Sequence, residues 1–274
     1  MRPLDLAVVG GGVAGLAAAD EAVSQGLAVA LFESGLYGGL VANVGALDGW
    51  PTSVGGAELA FGWKDRLAEA GVRFLDEHVE AVRMQGRRRI VETAGGGRYR
   101  AKAVVAATGA RLRRLDVPGE EALTGRGVSQ CAFCDAGFFR DANVAVVGGG
   151  DAALQEALHL AGYARSIAMV VRGSRLSARP GYGARAAADP KFSFHWNSEV
   201  ASIDGESGVD GVTLADGRRL EVSGVFVFIG LEPVTALEGE GVFTAGAVRR
   251  AGSLAEAVAD GQRAAREAAA ALRR

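Results

Sequence analysis

The hexapeptide AVVGGG occurs twice in this chain of 274 residues, at 7–12 and again at 145–150. Each copy is an apolar run that ends in glycines. An alanine-rich stretch with helical periodicity follows each one, VAGLAAADEAVSQG and DAALQEALHLAGYA. A second apolar run comes next, LAVALFE at 27–33 and IAMVVR at 167–172. A strand, a tight turn, a helix and another strand form a βαβ unit with parallel strands. One unit used twice predicts an α/β fold with two nucleotide-binding, Rossmann-like domains.

After each unit the sequence becomes β-rich. RRRIVETAGGGRYRAKAVVAATGA and VDGVTLADGRRLEVSGVFVFIGLEP both read as a hairpin that leads into a buried strand. The tail, SLAEAVADGQRAAREAAAALRR, reads as a helix whose start is marked by a capping box of Ser253 and Glu256. HWN at 195–197 reads as the start of a strand, and His159 as a packed or capping side chain on the second helix. Joints between domains are expected near 113–118 and near 233–241.

The two turns differ in a way that bears on their ligands. In the first, Gly10, Gly12 and Gly15 form G-x-G-x-x-G, with Val13 and Ala14 completing the turn. The first glycine permits the tight bend, the second lets backbone approach a pyrophosphate, and the third packs helix on strand. The helix N-terminus then faces the phosphates. Glu33 ends the next strand, about twenty residues on, where a carboxylate accepts hydrogen bonds from ribose hydroxyls. In the second turn Gly148, Gly150 and Ala153 give G-x-G-x-x-A around Asp151 and Ala152. The position matching Glu33 holds Arg172, with Arg175 and Arg179 close behind. A guanidinium there suits a 2′-phosphate, so the second site reads as one for NADP(H).

Both cysteines of the chain, Cys131 and Cys134, lie in GVSQCAFCDAGFF, just before the second turn. Two thiols this close point to redox or metal chemistry. A structural zinc site takes four Cys or His ligands. The three histidines, His78, His159 and His195, are remote from the pair in sequence, so no metal is expected. A Cys-x-x-Cys pair closes as a disulfide across a short loop. At a helix N-terminus one thiol becomes acidic enough to attack a disulfide. Asp135 follows at once and is a candidate proton carrier.

With 30 Lys and Arg against 32 Asp and Glu, the net charge of −2 argues against a nucleic-acid partner. No apolar run reaches the length of a membrane span. The first residues read directly as a strand with no secretory signal, so the chain is expected in the cytoplasm.

The segment VPGEEALTGRGVSQCAFCDAGFFRDANVAVVGGGDAALQEAL at 117–158, with ATGA at 107–110, GWP at 49–51 and GVFTAG at 241–246, resembles the low-molecular-weight, bacterial-type thioredoxin reductases of the pyridine nucleotide-disulfide oxidoreductase family. The likeness runs nearly end to end. It implies a FAD domain over 1–113 and 234–274, split by an NADPH domain over 114–233 that carries the Cys-x-x-Cys pair. It implies that Gly39, Leu40, Thr108, Gly109, Gly246 and Ala247 join the first turn around FAD. It implies that NADPH reduces FAD, that Cys134 faces the flavin, that Cys131 attacks the disulfide of a thioredoxin-like partner, and that Asp135 protonates the leaving thiolate. A homodimer is implied as well. The chain departs from the pattern at several points. Ala247 stands where the family has Asp, Leu40 where it has Gln, and Gly49 where it has Asn. RRAGS replaces an Arg-Gln motif, Val171-Arg172-Gly173 replaces His-Arg-Arg, and the segment before GVF is shorter by about a hairpin. Two other readings are consistent with these departures. One is a related flavin oxidoreductase with a small disulfide or a different electron donor. The other is a flavin-binding redox sensor without turnover.

Overall fold

A computed structural model describes residues 4–45, 47, 54–234, 237–249 and 253–273. The chain divides into two compact units, Met1–Arg111 with Pro233–Arg274, and Leu112–Glu232.

The first unit begins with β1 (Leu4–Val9), α1 (Val13–Ser24), β2 (Val29–Phe32), α2 (Gly56–Glu69) and β3 (Arg73–Leu75). It continues through a meander, β4 (Val79–Gln85), β5 (Arg88–Thr93) and β6 (Arg98–Ala106). Its sheet has the order β3-β2-β1-β6-β5-β4. β1, β2 and β3 are parallel, as are β1 and β6. LDLAVV and VALF are apolar at almost every position because a parallel sheet is covered on both faces. β4, β5 and β6 pair antiparallel, so the expected hairpin is present.

A short strand, β7 (Ala110–Leu112), leads out of this unit. The second unit contains α3 (Glu120–Leu123), β8 (Val128–Ser129), α4 (Ala132–Asp135), β9 (Asn143–Val147), α5 (Asp151–Leu160), β10 (Ser166–Val171), α6 (Pro180–Ala188) and β11 (Phe192–Trp196). β12 (Val200–Asp204), β13 (Gly211–Leu214), β14 (Arg219–Leu220) and β15 (Gly224–Val227) complete it. A five-stranded sheet runs β11-β10-β9-β15-β8, parallel throughout. A separate antiparallel sheet is formed by β12, β13 and β14. His195 and Trp196 close β11 rather than open a strand. The apolar run starts at Phe192, and Phe194 and Trp196 stack with ring centroids 5.0 Å apart.

The return strand β16 (Leu231–Pro233) pairs with β7, so the two crossings form one ribbon. β17 (Val242–Thr244) then joins the C-terminal half of β6, parallel to it, and α7 (Leu254–Leu272) ends the chain. Ser253 caps α7, and Glu256 completes the reciprocal capping box.

Small residues bring α7 onto α1. Ala14, Ala17 and Ala18 share one core with Ala264, Ala265 and Ala268. At Gly261 a Cβ would stand 2.1 Å from the carbonyl oxygen of Ala14. That neighbour is backbone in the first turn of α1 and cannot swing aside. Gly62, on the exposed side of α2, has nothing within 4 Å of such a Cβ. The two glycines should therefore respond oppositely to substitution. Gly261→Val should destabilise the protein by about 1–3 kcal/mol through overpacking. Gly62→Ala should stabilise it by about 0.5–1 kcal/mol through helix propensity. Denaturant midpoints at constant m-value measure both.

Candidate functional site

In the first unit the turn after β1 is built by close backbone approach. Gly10 has φ +104°, and a Cβ on it would lie 2.2 Å from the Ala107 carbonyl oxygen. At Gly15 a Cβ would lie 1.9 Å from the carbonyl oxygen of Gly10. Gly12, the N-cap of α1, has no side-chain cap and open space where a Cβ would go. The first turn of α1, with Val13 and Ala14, therefore presents bare N–H groups to a cradle that fits a pyrophosphate.

Other predicted residues converge on this turn. Gly38 bridges to Gly12. A Cβ on Gly39 would lie 3.4 Å from the Gly12 Cα, and Leu40 follows it in a 3-10 turn. At Gly246 a Cβ would lie 2.5 Å from the Ala14 Cβ, and Ala247 follows in another such turn. Thr108 donates its hydroxyl to the Val234 carbonyl at 2.5 Å, and Gly109 after it has φ +73°. Glu33 stands at the end of β2. Its Oε2 accepts the Gly11 N–H at 2.6 Å, and its Oε1 accepts those of Ser34 and Gly35 at 2.8 and 2.7 Å. A cavity of about 530 Å³ opens beside Gly10, walled by Glu33, Ser34, Glu77, His78 and Thr108.

Several supports of this site carry no sequence signature. Asp260 on α7 accepts the Gly246 N–H at 2.8 Å and pairs with Arg249 and Arg263. Tyr37 donates to Asp76 at 2.7 Å, and burial together with that carboxylate pushes the phenol well above its ordinary range. Glu77 accepts hydrogen bonds from Thr93 and Tyr99, which hold its carboxyl below the usual value. Gly49, Trp50 and Pro51, singled out in the sequence, lie outside the described residues, as do 250–252.

In the second unit Gly148 has φ +140°, and a Cβ there would meet the Phe228 carbonyl oxygen at 2.3 Å. Gly150 caps α5 without a side-chain bond, and Ala152 and the buried Ala153 lie in its first turn. Asp151 is the first residue of α5. It accepts the Arg179 backbone N–H at 2.7 Å and Nε at 2.8 Å. Arg179 also reaches the Tyr182 hydroxyl at 3.0 Å and lies over its ring. Of the three arginines read as a phosphate clamp, Arg179 is thus tied to the helix N-terminus. Arg172 and Arg175 are exposed, Arg172 at the end of β10.

Cys131 and Cys134 form a disulfide with their Cα atoms 5.3 Å apart. Cys131 is the N-cap of α4, and its Sγ accepts the Cys134 N–H at 3.1 Å. The N–H groups of the two intervening residues, Ala132 and Phe133, both go to Oε2 of Glu156 on α5, at 2.8 and 3.2 Å. Asp135 ends α4 with its N–H on the Cys131 carbonyl at 3.2 Å. Phe133 is 53% exposed and Phe138 is 85% exposed beside the pair.

Two dinucleotide-binding folds with a Cys-x-x-Cys disulfide at the start of the second define an α/β flavoprotein oxidoreductase that works on dithiols and disulfides. Residues 4–257 match the model of the pyridine nucleotide-disulphide oxidoreductases, and the chain belongs to that family. It is 38% identical over 239 residues to a thioredoxin reductase of Streptomyces clavuligerus, covering 84% of this chain and 74% of that one. It is 35% identical over 274 residues to one from Bacillus subtilis, covering 89% and 86%. The crystal structure of Lactococcus lactis thioredoxin reductase in its FR conformation superposes with a TM-score of 0.92 at 29% identity, over 98% of this chain and 99% of that one. That of T. acidophilum thioredoxin reductase gives 0.91 at 26% identity, over 99% of each. No helix among the described residues is long and apolar enough to cross a membrane.

The Glu33 carboxylate ties three backbone donors to the end of β2. Glu33→Ala should lower the melting temperature, with a loss of about 1–3 kcal/mol from donors left without an acceptor. Calorimetry reads the loss directly.

Proposed function

We propose that this protein is a FAD-dependent, NADPH-linked thioredoxin-disulfide reductase, and that the Cys131–Cys134 pair carries the electrons to a thioredoxin-like protein. The observation that carries the reading is the disulfide capping α4, one short segment ahead of a Gly-rich turn, with Arg172 directly after the next strand, β10. The family match and the thioredoxin reductases that align across most of the chain support it.

The first unit is assigned to FAD. The unspent N–H groups at the start of α1 meet the pyrophosphate, and Glu33 takes the ribose hydroxyls. Gly10, Gly12, Val13, Ala14, Gly15, Gly39, Leu40, Thr108, Gly109, Gly246 and Ala247 line the remainder. Bound there, FAD supplies a carrier that accepts two electrons from NADPH and returns them to a disulfide. Ala247 offers no side-chain acceptor to that group. The lost charge-assisted bond is equivalent to about 1.5–3 kcal/mol, or ten- to a hundredfold in affinity.

The second unit is assigned to NADPH. Gly148, Gly150, Asp151, Ala152 and Ala153 form the pyrophosphate turn, and Arg172 with Arg175 takes the 2′-phosphate. Arg179 acts one step back, by fixing Asp151 and the start of α5. Once Cys131 and Cys134 are reduced, the Cys131 thiolate attacks one sulfur of the partner disulfide and the other sulfur leaves. Asp135 is assigned to protonate that leaving sulfur. Cys134 then attacks Cys131, re-forming the internal disulfide and releasing the partner as a dithiol. Two electrons move, and both protons end on the partner. The enzyme is assigned to the cytoplasm, where a pair of cysteines serves redox chemistry rather than as a structural staple, and to a homodimer by its likeness to the family.

Purified flavin-loaded protein with NADPH and thioredoxin tests the assignment. Cys131→Ser and Cys134→Ser should each lower thioredoxin reduction by at least a thousandfold while NADPH still bleaches the flavin. Undiminished turnover in either variant contradicts it. Arg172→Ala should raise the KM for NADPH about ten- to a hundredfold and leave that for NADH within about twofold, as expected from removing one charged bond to the 2′-phosphate. Equal effects on both nucleotides would remove Arg172 from the phosphate site.

A further inference from the structure

Glu156 is used by none of the steps above, yet its carboxylate is built into the redox loop. It lies on α5, in the second turn of the helix. One oxygen, Oε2, accepts the N–H groups of both residues between the cysteines. Ala132 is fully buried, and the carboxylate reaches it from a partly buried position. His159, one turn further along α5, places its ring 5.5 Å from that of Phe133. The loop is therefore held to α5 from its backbone and from its side chain.

The bonding has a consequence for the sulfurs. Cys131 is the N-cap of α4, where a thiolate would ordinarily draw on the free N–H groups of the first turn. Of the three candidates, only the Cys134 N–H goes to the Cys131 sulfur. The Ala132 and Phe133 groups are diverted to Glu156. The diverting group is itself an anion, one hydrogen-bonded residue away from the sulfur that must become anionic. A thiolate at Cys131 thus loses two donors and gains a like-charged neighbour.

We propose that Glu156 is a positioning residue that sets the redox poise of the Cys131–Cys134 pair, its charge holding the dithiol at a lower, more reducing potential than an N-capping thiol would otherwise have. The inference rests on the reading of this pair as the redox centre. Reduction adds two electrons and two protons to the disulfide and breaks the S–S bond, giving a dithiol or a thiolate with one proton released. Destabilising the thiolate raises the free energy of the reduced side alone, so the couple becomes a stronger donor. The opposite arrangement, a well-stabilised thiolate, makes a strong oxidant. Burial pushes the Glu156 carboxyl above its ordinary range, against the two N–H bonds and the neighbouring His159 that pull it down. The anion is already costly there, and a second one on sulfur adds to the cost.

The test equilibrates the flavin-loaded protein anaerobically with graded mixtures of dithiothreitol and its cyclic disulfide. The reductant gives up two electrons and two protons and closes its own ring as Cys131–Cys134 opens. Alkylation and mass measurement of the peptide count reduced cysteines independently of the flavin. Glu156→Gln keeps an oxygen for both N–H groups and removes the charge. It should move the equilibrium at least tenfold toward the dithiol, which is about 30 mV for this two-electron couple. Glu156→Ala should move it at least as far. A Glu156→Gln equilibrium within twofold of wild type overturns the proposal, even where Glu156→Ala shifts, because the charge would then play no part. A shift toward the disulfide overturns it too. Failure of the wild-type pair to open and close reversibly would instead count against the redox-centre reading itself.

Discussion

The carbonyl oxygen of Gly10 and the α-carbon of Gly15 meet with no room for a side chain between them. That contact seats the first turn of α1 on the end of β1. Its geometry decides where the bare N–H groups of the helix point. Gly10 bends against Ala107 at the end of β6, so three elements share one crowded point. Gly246 and Gly261 extend the same crowding to α7, whose approach to α1 is set by the absence of side chains. A phosphate cradle of this kind is a by-product of helix–strand packing too close for anything larger than hydrogen. The second unit repeats the device with a looser third position. Ala153 sits fully buried in the place of Gly15, its Cβ 3.0 Å from where one on Gly148 would be.

Within the second unit the cysteine pair and the nucleotide turn are linked through one helix. The first turn of α5 carries Asp151 and the Arg179 contact, and its second turn carries Glu156 and the contact with α4. The N-terminal turns of α5 therefore organise both the Gly-rich turn with its Arg179 contact and the backbone of the disulfide loop. This economy follows from topology. β8 and α4 precede β9 immediately in sequence, and α5 leaves its end.

The repeat, the two glycine turns, the hairpins and the capping box at Ser253 were legible in the sequence because each is a local pattern with a fixed period or spacing. The convergence of Gly39 and Gly246 on the first turn was legible only through family resemblance, since nothing local in either segment points to α1. Asp260 and Glu156 were not legible at all. Each acts on a backbone N–H far away in sequence, and an acidic residue on a polar helix face has no pattern of its own. Arg179 is legible as one of several arginines that follow a Rossmann strand, but its contact with Asp151 is not. Its engagement with Asp151 depends on where the loop before α6 folds back. His195 and Trp196 lie at the end of a strand and not at its start because the aromatic run from Phe192 already belongs to β11, and a run of alternating aromatics and polar residues has no sharp boundary of its own.

The two cysteine sulfurs of this chain relay electrons from a nucleotide to a partner disulfide. The most direct measurement is an anaerobic titration of the flavin-loaded protein with NADPH, followed by alkylation and mass analysis of Cys131 and Cys134. The flavin should bleach and both cysteines should become alkylated as NADPH is consumed. Bleaching with the disulfide intact through a twofold excess of NADPH would contradict the relay.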